Sequence, residues 1–424
     1  MARDEVCKMF QPHKASGTAI ASEKPALGAI VFGGAHGSLA VIRSLGRQGV
    51  PVWFLADDNK IAKYSRYTTR CIDWCGAKSP LALQFLLDLA REHDVDGWVL
   101  YPGGDAEARL VAQNHEVLAS VYRVITQPWQ TLETAQNKIK MYALADRLGV
   151  DHPWIYDHDN PPGPAEVQAH FPLVIKPATG SGRDQLSKDK AWRVEDAEGF
   201  SARYDQAVSL LGRSGIVVQE MIPGDGSTQY SYAAVSHKGK PVASLIARRT
   251  RQYPVEFGFT STMVETTSQP IVEKHATCLL EALNYSGMVE IEFKYDARDD
   301  RLKVLDINTR TWTWIGLGSA AGVDFPYVMW QLATGKPVSP TMARADTAWC
   351  HLSRDILASI AQRKHKAASG TKLRNIFAKK LTFAAYASDD PLPGILDIPL
   401  LIPRVLTRMR LSARAHSEVH HRPI

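Results

Sequence analysis

Two acidic segments lie on apolar runs: Glu290-Ile291-Glu292-Phe293 and, fourteen residues after Glu292, Asp306-Ile307-Asn308, with Arg310 close behind. Carboxylate and amide oxygens suit a hard cation such as Mg²⁺ or Mn²⁺, which commonly keeps phosphate oxygens among its ligands. Side chains two apart on a strand share a face. Glu290 and Glu292 therefore project together, as do Asp306 and Asn308 on a neighbouring strand, and the four can converge on one cation. Arg310 then stands where it can neutralise charge on a transferring phosphoryl group. A solvated strand face is the competing explanation, and it fits poorly beside Val289, Phe293, Leu305 and Ile307.

Further residues suit phosphate and base. Phe171 to Ile175 is an apolar strand running into Lys176-Pro177 and then Thr179-Gly180-Ser181-Gly182-Arg183. Backbone N–H groups of so small a loop can close over phosphate oxygens, with Lys176 adding a point charge. The Gly-Lys-Ser/Thr ending of a Walker loop is absent, and alone such a loop is more often a hairpin turn. Asn137-Lys138, about forty residues upstream, would by itself read as a solvated helix lysine. Gln219-Glu220-Met221-Ile222-Pro223-Gly224 ends a strand with a polar pair and a turn, offering an apolar slot and backbone groups to an adenine edge; an ordinary strand end is the alternative. Arg248-Arg249-Thr250-Arg251 beside Tyr253 is a candidate clamp for a carboxylate and phosphates, or else a basic edge strand.

The elements that must hold these groups alternate in type. Residues 28–33 form an apolar run ending in glycine, residues 38–48 carry the helical spacing Leu39, Ile42, Leu45, and strands are expected at 51–55 and 97–101 around a helix over 80–92. That alternation implies a parallel sheet with crossover helices. From Leu132 to Leu148 the spacing predicts one helix ended by Gly149, and 161–164 reads as a loop. Residues 230–235 and 241–247 predict an antiparallel pair turned at Lys238-Gly239, and 289–295 with 302–307 another turned at Asp299-Asp300. The expected domains are an open α/β domain over 27–128, a nucleotide-binding domain over 129–337 with a lid at about 150–222, and a basic C-terminal extension over 338–424.

Composition bounds the rest. A hydrophobic share of 45% and a charged share of 22% over 424 residues describe a globular chain of two or three domains. The net charge of +6 is concentrated after about residue 340, and no nucleic-acid reading motif accompanies it, so a specific nucleic-acid partner is not expected. Five scattered cysteines, with Cys71 and Cys75 four apart but no second Cys or His pair nearby, argue against a zinc site and fit a reducing cytoplasm. Residues 1–26 are polar, unlike a signal peptide, and no apolar run is long enough to span a bilayer. Residues 394–403, carrying Asp397 and flanked by arginines, suit either peripheral contact with a membrane surface or packing on their own domain; the second is favoured.

Taken in order, Asn137-Lys138, Val174-Ile175-Lys176-Pro177 with its glycine loop, Gln219 to Gly224, Glu292-Phe293 and Asp306-Ile307-Asn308-Thr309-Arg310 resemble the ATP-grasp superfamily over roughly residues 28–337. The Arg249 segment and Ser65-Arg66-Tyr67 are similar to its D-aspartate ligase-like carboxylate–amine ligases. The resemblance implies an α/β ATP-grasp fold: a parallel Rossmann-like domain, a small α+β lid and an antiparallel-sheet α+β domain forming the ATP cleft. It further implies that Lys138 and Lys176 hold the α- and β-phosphates and that Gly180, Ser181 and Gly182 form the lid loop. Glu220, Met221 and Ile222 would lie at the adenine hinge, Asp225 near the ribose, and Glu292, Asp306 and Asn308 on Mg²⁺ or Mn²⁺. Arg310, with Arg249 and Arg251, would serve catalysis. The implied activity joins a small, amino-acid-like carboxylate to an amine through an acyl phosphate. The family commonly carries Glu at the position of Asp306, whose shorter arm weakens or repositions one metal contact. Two other readings stand: a nicotinamide-dependent oxidoreductase, from Gly33-Gly34-Ala35-His36-Gly37 with Asp57 or Asp58, and a non-catalytic ATP-binding protein. His36, Asp105 and Tyr101 to Gly104 are candidates for an acceptor pocket, and Trp312 and Trp314 for substrate stacking or core. The identity of the substrates and the oligomeric state are not encoded in any motif.

Overall fold

Apolar runs of four or five residues form β1 (Ala29–Phe32), β2 (Val52–Ala56) and β4 (Val99–Pro102), joined by the more polar edge strands β3 (Arg70–Asp73) and β5 (Arg123–Val124). They pair in parallel in the order β3-β2-β1-β4-β5. The helices His36–Arg47 and Ala82–His93 bury Leu39, Ile42 and Leu45, and Leu86 and Leu89, as the sequence spacing requires. The computed structural model describes residues 26–57, 59–180, 186, 191–253, 260–344, 346–364 and 379–400.

Strand order reverses around β1, so the crevice beyond the carboxyl ends of β1 and β4 is a topological switch point, where open α/β sheets bind ligands. Two glycine pairs line it. Gly33 (φ +67°) and Gly34 (φ +71°) adopt the left-handed region, and a Cβ on Gly33 would lie 2.4 Å from the carboxyl carbon of Glu107.

A small antiparallel sheet follows, β6 (Leu173–Pro177) between β7 (Trp192–Val194) and β8 (Ile216–Glu220). Leu173, Ile175, Trp192 and Val218 form its own core with Ala207 of the helix Ala197–Leu211. The third sheet has eight strands. It runs from β13 (Arg301–Asn308) through β12 (Gly287–Asp296), β9 (Gln229–His237), β10 (Lys240–Tyr253), β11 (Thr260–Thr266) and β15 (Thr347–Cys350) to β16 (Lys380–Phe383), with β14 (Thr341–Met342) against β10. The hairpin β9–β10 turns at Lys238 (φ 51°) and Gly239 (φ 78°), both left-handed as a two-residue turn demands. Asp300 (φ 57°) serves the β12–β13 hairpin.

Three expectations need correction. Residues 132–148 are two helices, Trp129–Gln136 and Lys138–Leu148. Asn137 breaks them because its extended backbone frees its side chain to accept from the N–H groups of Ile139 and Lys140, an N-cap that apolar spacing does not reveal. Pro164 opens a short helix, Pro164–Ala169, where its missing N–H costs nothing. Residues of the supposed C-terminal extension are strands of the large sheet, since β15 pairs with β11 and β16 with β15.

The segment after β16 also docks on the parallel domain. Asp390 is buried and accepts from Arg43 Nε at 2.8 Å, Ser65 Oγ at 2.7 Å and the Arg66 N–H at 2.9 Å. Asp389 accepts from Arg47 and Tyr67. Ser65-Arg66-Tyr67 is thus a docking element for the chain's far end. Residues 392–400 are helical, and Asp397 turns inward to His36 at 2.8 Å, which favours packing on the chain's own domain. Most of the flanking arginines lie outside the described residues. Among the described residues no helix is long and apolar enough to cross a membrane.

Candidate functional site

The acidic floor comes from strand register. In the antiparallel pair β12–β13, Glu292 lies opposite Asp306 and Glu290 opposite Asn308. Phe293 then pairs with Val304, leaving Leu305 as the extra residue of a bulge. The bulge changes the phase of β13: Leu302, Val304 and Ile307 all enter the core, while Asp306 and Asn308 face the same side as Glu290 and Glu292. Such bulges re-aim side chains beside functional sites.

Glu290 is buried, accepting from Ser231 Oγ and Trp314 Nε1 at 3.0 Å each. Asn308 Nδ2 spans the two carboxylates, 3.3 Å from Glu290 and 3.2 Å from Glu292, and its Oδ1 accepts from Arg310 at 3.1 Å. Burial, then the charge of Glu292, pushes the Glu290 carboxyl up to about 7. Two carboxylates this close in a buried setting call for positive charge, and their oxygens with that of Asp306 fit a hard divalent cation.

Cationic side chains surround this floor. Lys138, buried at the start of its helix, donates to Asp306 Oδ2 at 2.9 Å, and its N–H donates to the carbonyl of Ala178 at 2.9 Å, fixing it beside the loop after β6. Lys176 is half-buried, 3.3 Å from the Tyr142 hydroxyl, which itself donates to Gln219 at 2.9 Å. Arg249 reaches Glu292 at 3.6 Å and donates to Gln229 at 2.7 Å and Gln252 at 3.1 Å. Arg310 donates to Asp105 at 2.8 Å, tying the acidic floor to the switch-point crevice. Burial works to lower the Arg310 pKa, but the charges of Asp105 and Glu290 outweigh it and the net shift is upward. Gly180 packs there too, since a Cβ would lie 2.9 Å from Asp105. Ser181 and Gly182 lie outside the described residues.

At the strand end after Val218, the Glu220 side chain turns to a buried ionic network. It accepts from the Trp154 N–H at 3.0 Å, Arg298 at 2.7 Å and Lys303 at 3.1 Å. Burial opposes its ionisation, yet these donors hold its pKa below the ordinary value. It ties β8 to β13, while the Met221 N–H donates to the Pro172 carbonyl at 2.9 Å and the Ile222 side chain is buried. Asp225 caps a short 3₁₀ turn, accepting from the Ser227 N–H at 2.8 Å.

The structure places other candidates elsewhere. Arg251 is buried away from Arg249 because β10 bulges between the two, and it makes a two-pronged pair with Asp355 at 2.8 and 2.6 Å. That contact corrects its assignment to the substrate clamp. Trp312 and Trp314 are core residues, 1% and 3% exposed, and His36 bonds Asp397. The motifs did not reveal Tyr142, Ser231, Glu107 or Lys294. Lys294 is the next same-face position after Glu290 and Glu292, so alternation could have found it; burial brings its pKa down to about 8. Glu107 sits buried under Gly33, its carboxyl pushed up to about 7, chiefly by burial.

Comparison with known proteins fits this geometry. A sequence model of the ATP-grasp domain matches residues 135–314. The D-aspartate ligase of Enterococcus faecium (strain Aus0004) is 24% identical over 249 residues, 55% of this chain and 58% of that enzyme. The chain therefore spans less than two thirds of that relative's length. An L-amino acid ligase from Bacillus licheniformis superposes with a TM-score of 0.56 at 18% identity, over 75% of this chain and 76% of that one. The biotin carboxylase domain of Hydrogenobacter thermophilus 2-oxoglutarate carboxylase, solved with MgADP and bicarbonate, gives 0.57 at 15% identity, over 76% and 73%. With the three-sheet architecture in place, residues 135–314 are an ATP-grasp domain.

Proposed function

We propose that the chain is an ATP-dependent ligase that activates a carboxylate as an acyl phosphate and joins it to an amine, both substrates being small and amino-acid-like. A cytoplasmic setting follows from such substrates and from the unpaired thiols of Cys71, Cys75, Cys278 and Cys350. The observation that carries the reading is the register of Glu290 with Asn308 and Glu292 with Asp306, with Arg310 bridging from Asn308 to Asp105.

Glu292, Asp306 and Asn308, with Glu290 beneath, would hold Mg²⁺ or Mn²⁺, which neutralises phosphate charge that repels an attacking carboxylate. Lys138 and Lys176 bind the α- and β-phosphates under the loop of Gly180, Ser181 and Gly182. The Lys138–Asp306 pair sets a phosphate-binding ammonium beside a metal-binding carboxylate, as required where one phosphate oxygen meets both. The segment Glu220 to Ile222 receives the adenine, and Asp225 the ribose. A substrate carboxylate oxygen attacks the γ-phosphorus, a C–O–P link forms and ADP leaves. The amine nitrogen then attacks the carbonyl carbon, forming the amide, while phosphate departs and the nitrogen loses a proton. Arg310 and Arg249 steady the charge on the transferring group. The Glu107 side chain fills the space against Gly33 in the Gly33-Gly34 turn, where a dinucleotide would set its pyrophosphate, so its bulk disfavours the oxidoreductase reading.

The test is oxygen transfer. With a panel of ¹⁸O-carboxylates, amines, ATP and Mg²⁺, the label is expected in released phosphate only when a productive pair is present. Release of unlabelled phosphate alongside amide, or ATP bound but never cleaved, would refute the acyl-phosphate route.

A further inference from the structure

Three parts of the chain remote in sequence meet outside the cleft floor. His36 opens the first helix, His351 follows β15, and Asp397 lies in the helical residues 392–400. One ligand atom from each lies within 4.8 Å of the others. His36 Nε2 is 2.8 Å from Asp397 Oδ1 and His351 Nε2 is 3.6 Å from Asp397 Oδ2. The imidazole centroids are 4.1 Å apart.

We propose that His36, His351 and Asp397 form a binding site for a first-row divalent transition metal ion of the zinc class, separate from the oxygen-rich floor that suits Mg²⁺. Two imidazoles and one carboxylate are borderline ligands that such ions favour and Mg²⁺ does not. Ligands about 2.0–2.2 Å from a tetrahedral ion stand roughly 3.3–3.5 Å from one another; the 3.6 Å contact of His351 lies close to that span, and the 2.8 Å hydrogen bond of His36 would have to lengthen to admit an ion.

A second observation points to a ligand. His351 is 1% exposed, and its Nε2 stands 3.6 Å from Asp397 Oδ2, too far for a direct hydrogen bond. The two rings approach the two different oxygens of the Asp397 carboxylate. Ser353 Oγ donates to Asp397 Oδ2 at 2.7 Å, the kind of outer partner that orients a ligating carboxylate. Three protein ligands leave a fourth position for water or another small ligand. An ion here would clasp the chain's far end to both the parallel domain and the large sheet.

The experiment uses the full, untagged chain, stripped with a chelator and returned to excess Mg²⁺ so that oxygen-rich sites are filled. Co²⁺ titration is expected to give visible ligand-field absorption saturating at one equivalent, displaced by Zn²⁺. His351→Ala and Asp397→Asn should each weaken Co²⁺ binding by about 100-fold or more, and Ser353→Ala by about 10-fold. Glu292→Gln, aimed at the other floor, should leave the cobalt spectrum intact. Wild-type protein showing no cobalt absorption overturns the proposal without any variant. Cobalt retained unchanged in His351→Ala would place the ion on other histidines, such as His420-His421, and overturn it equally. None of these readouts depends on ligase turnover, so the two proposals fail separately.

Discussion

Arg249 and Arg251 stand two apart in one basic run, yet their truncation should produce opposite phenotypes. Arg251 and Asp355 are each 9% exposed and joined by two charge-assisted hydrogen bonds. Arg251→Ala leaves Asp355 with Thr262 Oγ1, at 2.8 Å, as its remaining side-chain donor here. Stranding one member of a buried pair costs about 3–5 kcal/mol. Replacing both members by apolar residues of similar volume, as in Arg251→Met with Asp355→Leu, should recover most of that loss. Urea unfolding of the two single variants and the double variant gives the cycle, with a coupling of about 1–3 kcal/mol expected. Folded Arg251→Ala should keep ADP release within a few-fold of the parent. Arg249→Ala, losing a cation 3.6 Å from Glu292, should instead lower turnover by about 100-fold or more with the unfolding midpoint nearly unchanged. An Arg251→Ala protein of parental stability and collapsed turnover would refute the structural assignment.

Further outcomes follow from other contacts. Asn308→Ala removes the amide spanning Glu290 and Glu292 and the acceptor of Arg310; turnover should be abolished while circular dichroism stays native. Glu107 has its folded pKa raised from 4.5 to about 7, so its contribution is fully present below pH 4.5 and is lost as pH rises to about 7. Glu107→Gln should therefore remove about 3 kcal/mol of the decline in stability over that window, read as the wild-type minus variant difference. Asn137→Ala removes the cap of the helix that carries Lys138 and should cost about 1 kcal/mol in unfolding free energy, together with weaker nucleotide binding by calorimetry.

Short-range features of the fold were legible in the sequence, and long-range ones were not. The β9–β10 and β12–β13 hairpins showed because alternation and turn residues lie within one window, whereas the pairing of Glu292 with Asp306 depends on the bulge at Leu305, which no local signal announced. The break at Asn137 escaped because apolar spacing runs on through it; the clue was an Asn one residue before Lys138. Arg251 looked like the partner of Arg249 because three arginines fall within four residues, whereas the bulge in β10 changes phase between them. Strands β15 and β16 are four residues each and gain stability only from the edge they extend. The contact of His36 with Asp397 joins positions 361 residues apart, and nothing local to either announces it. The Ser65-Arg66-Tyr67 element was visible, but its purpose became clear only with Asp389 and Asp390 beside it.

The chain's return to its own beginning has a mechanical consequence. Because Asp390 sits in the grip of Arg43, Ser65 and Arg66 while β15 and β16 are woven into the eight-stranded sheet, the two larger lobes are riveted from both ends of the polypeptide and act as one anvil. The three-stranded lobe has its own small core, so if the proposed nucleotide cleft closes, the bend is expected at the ends of β6 and β8.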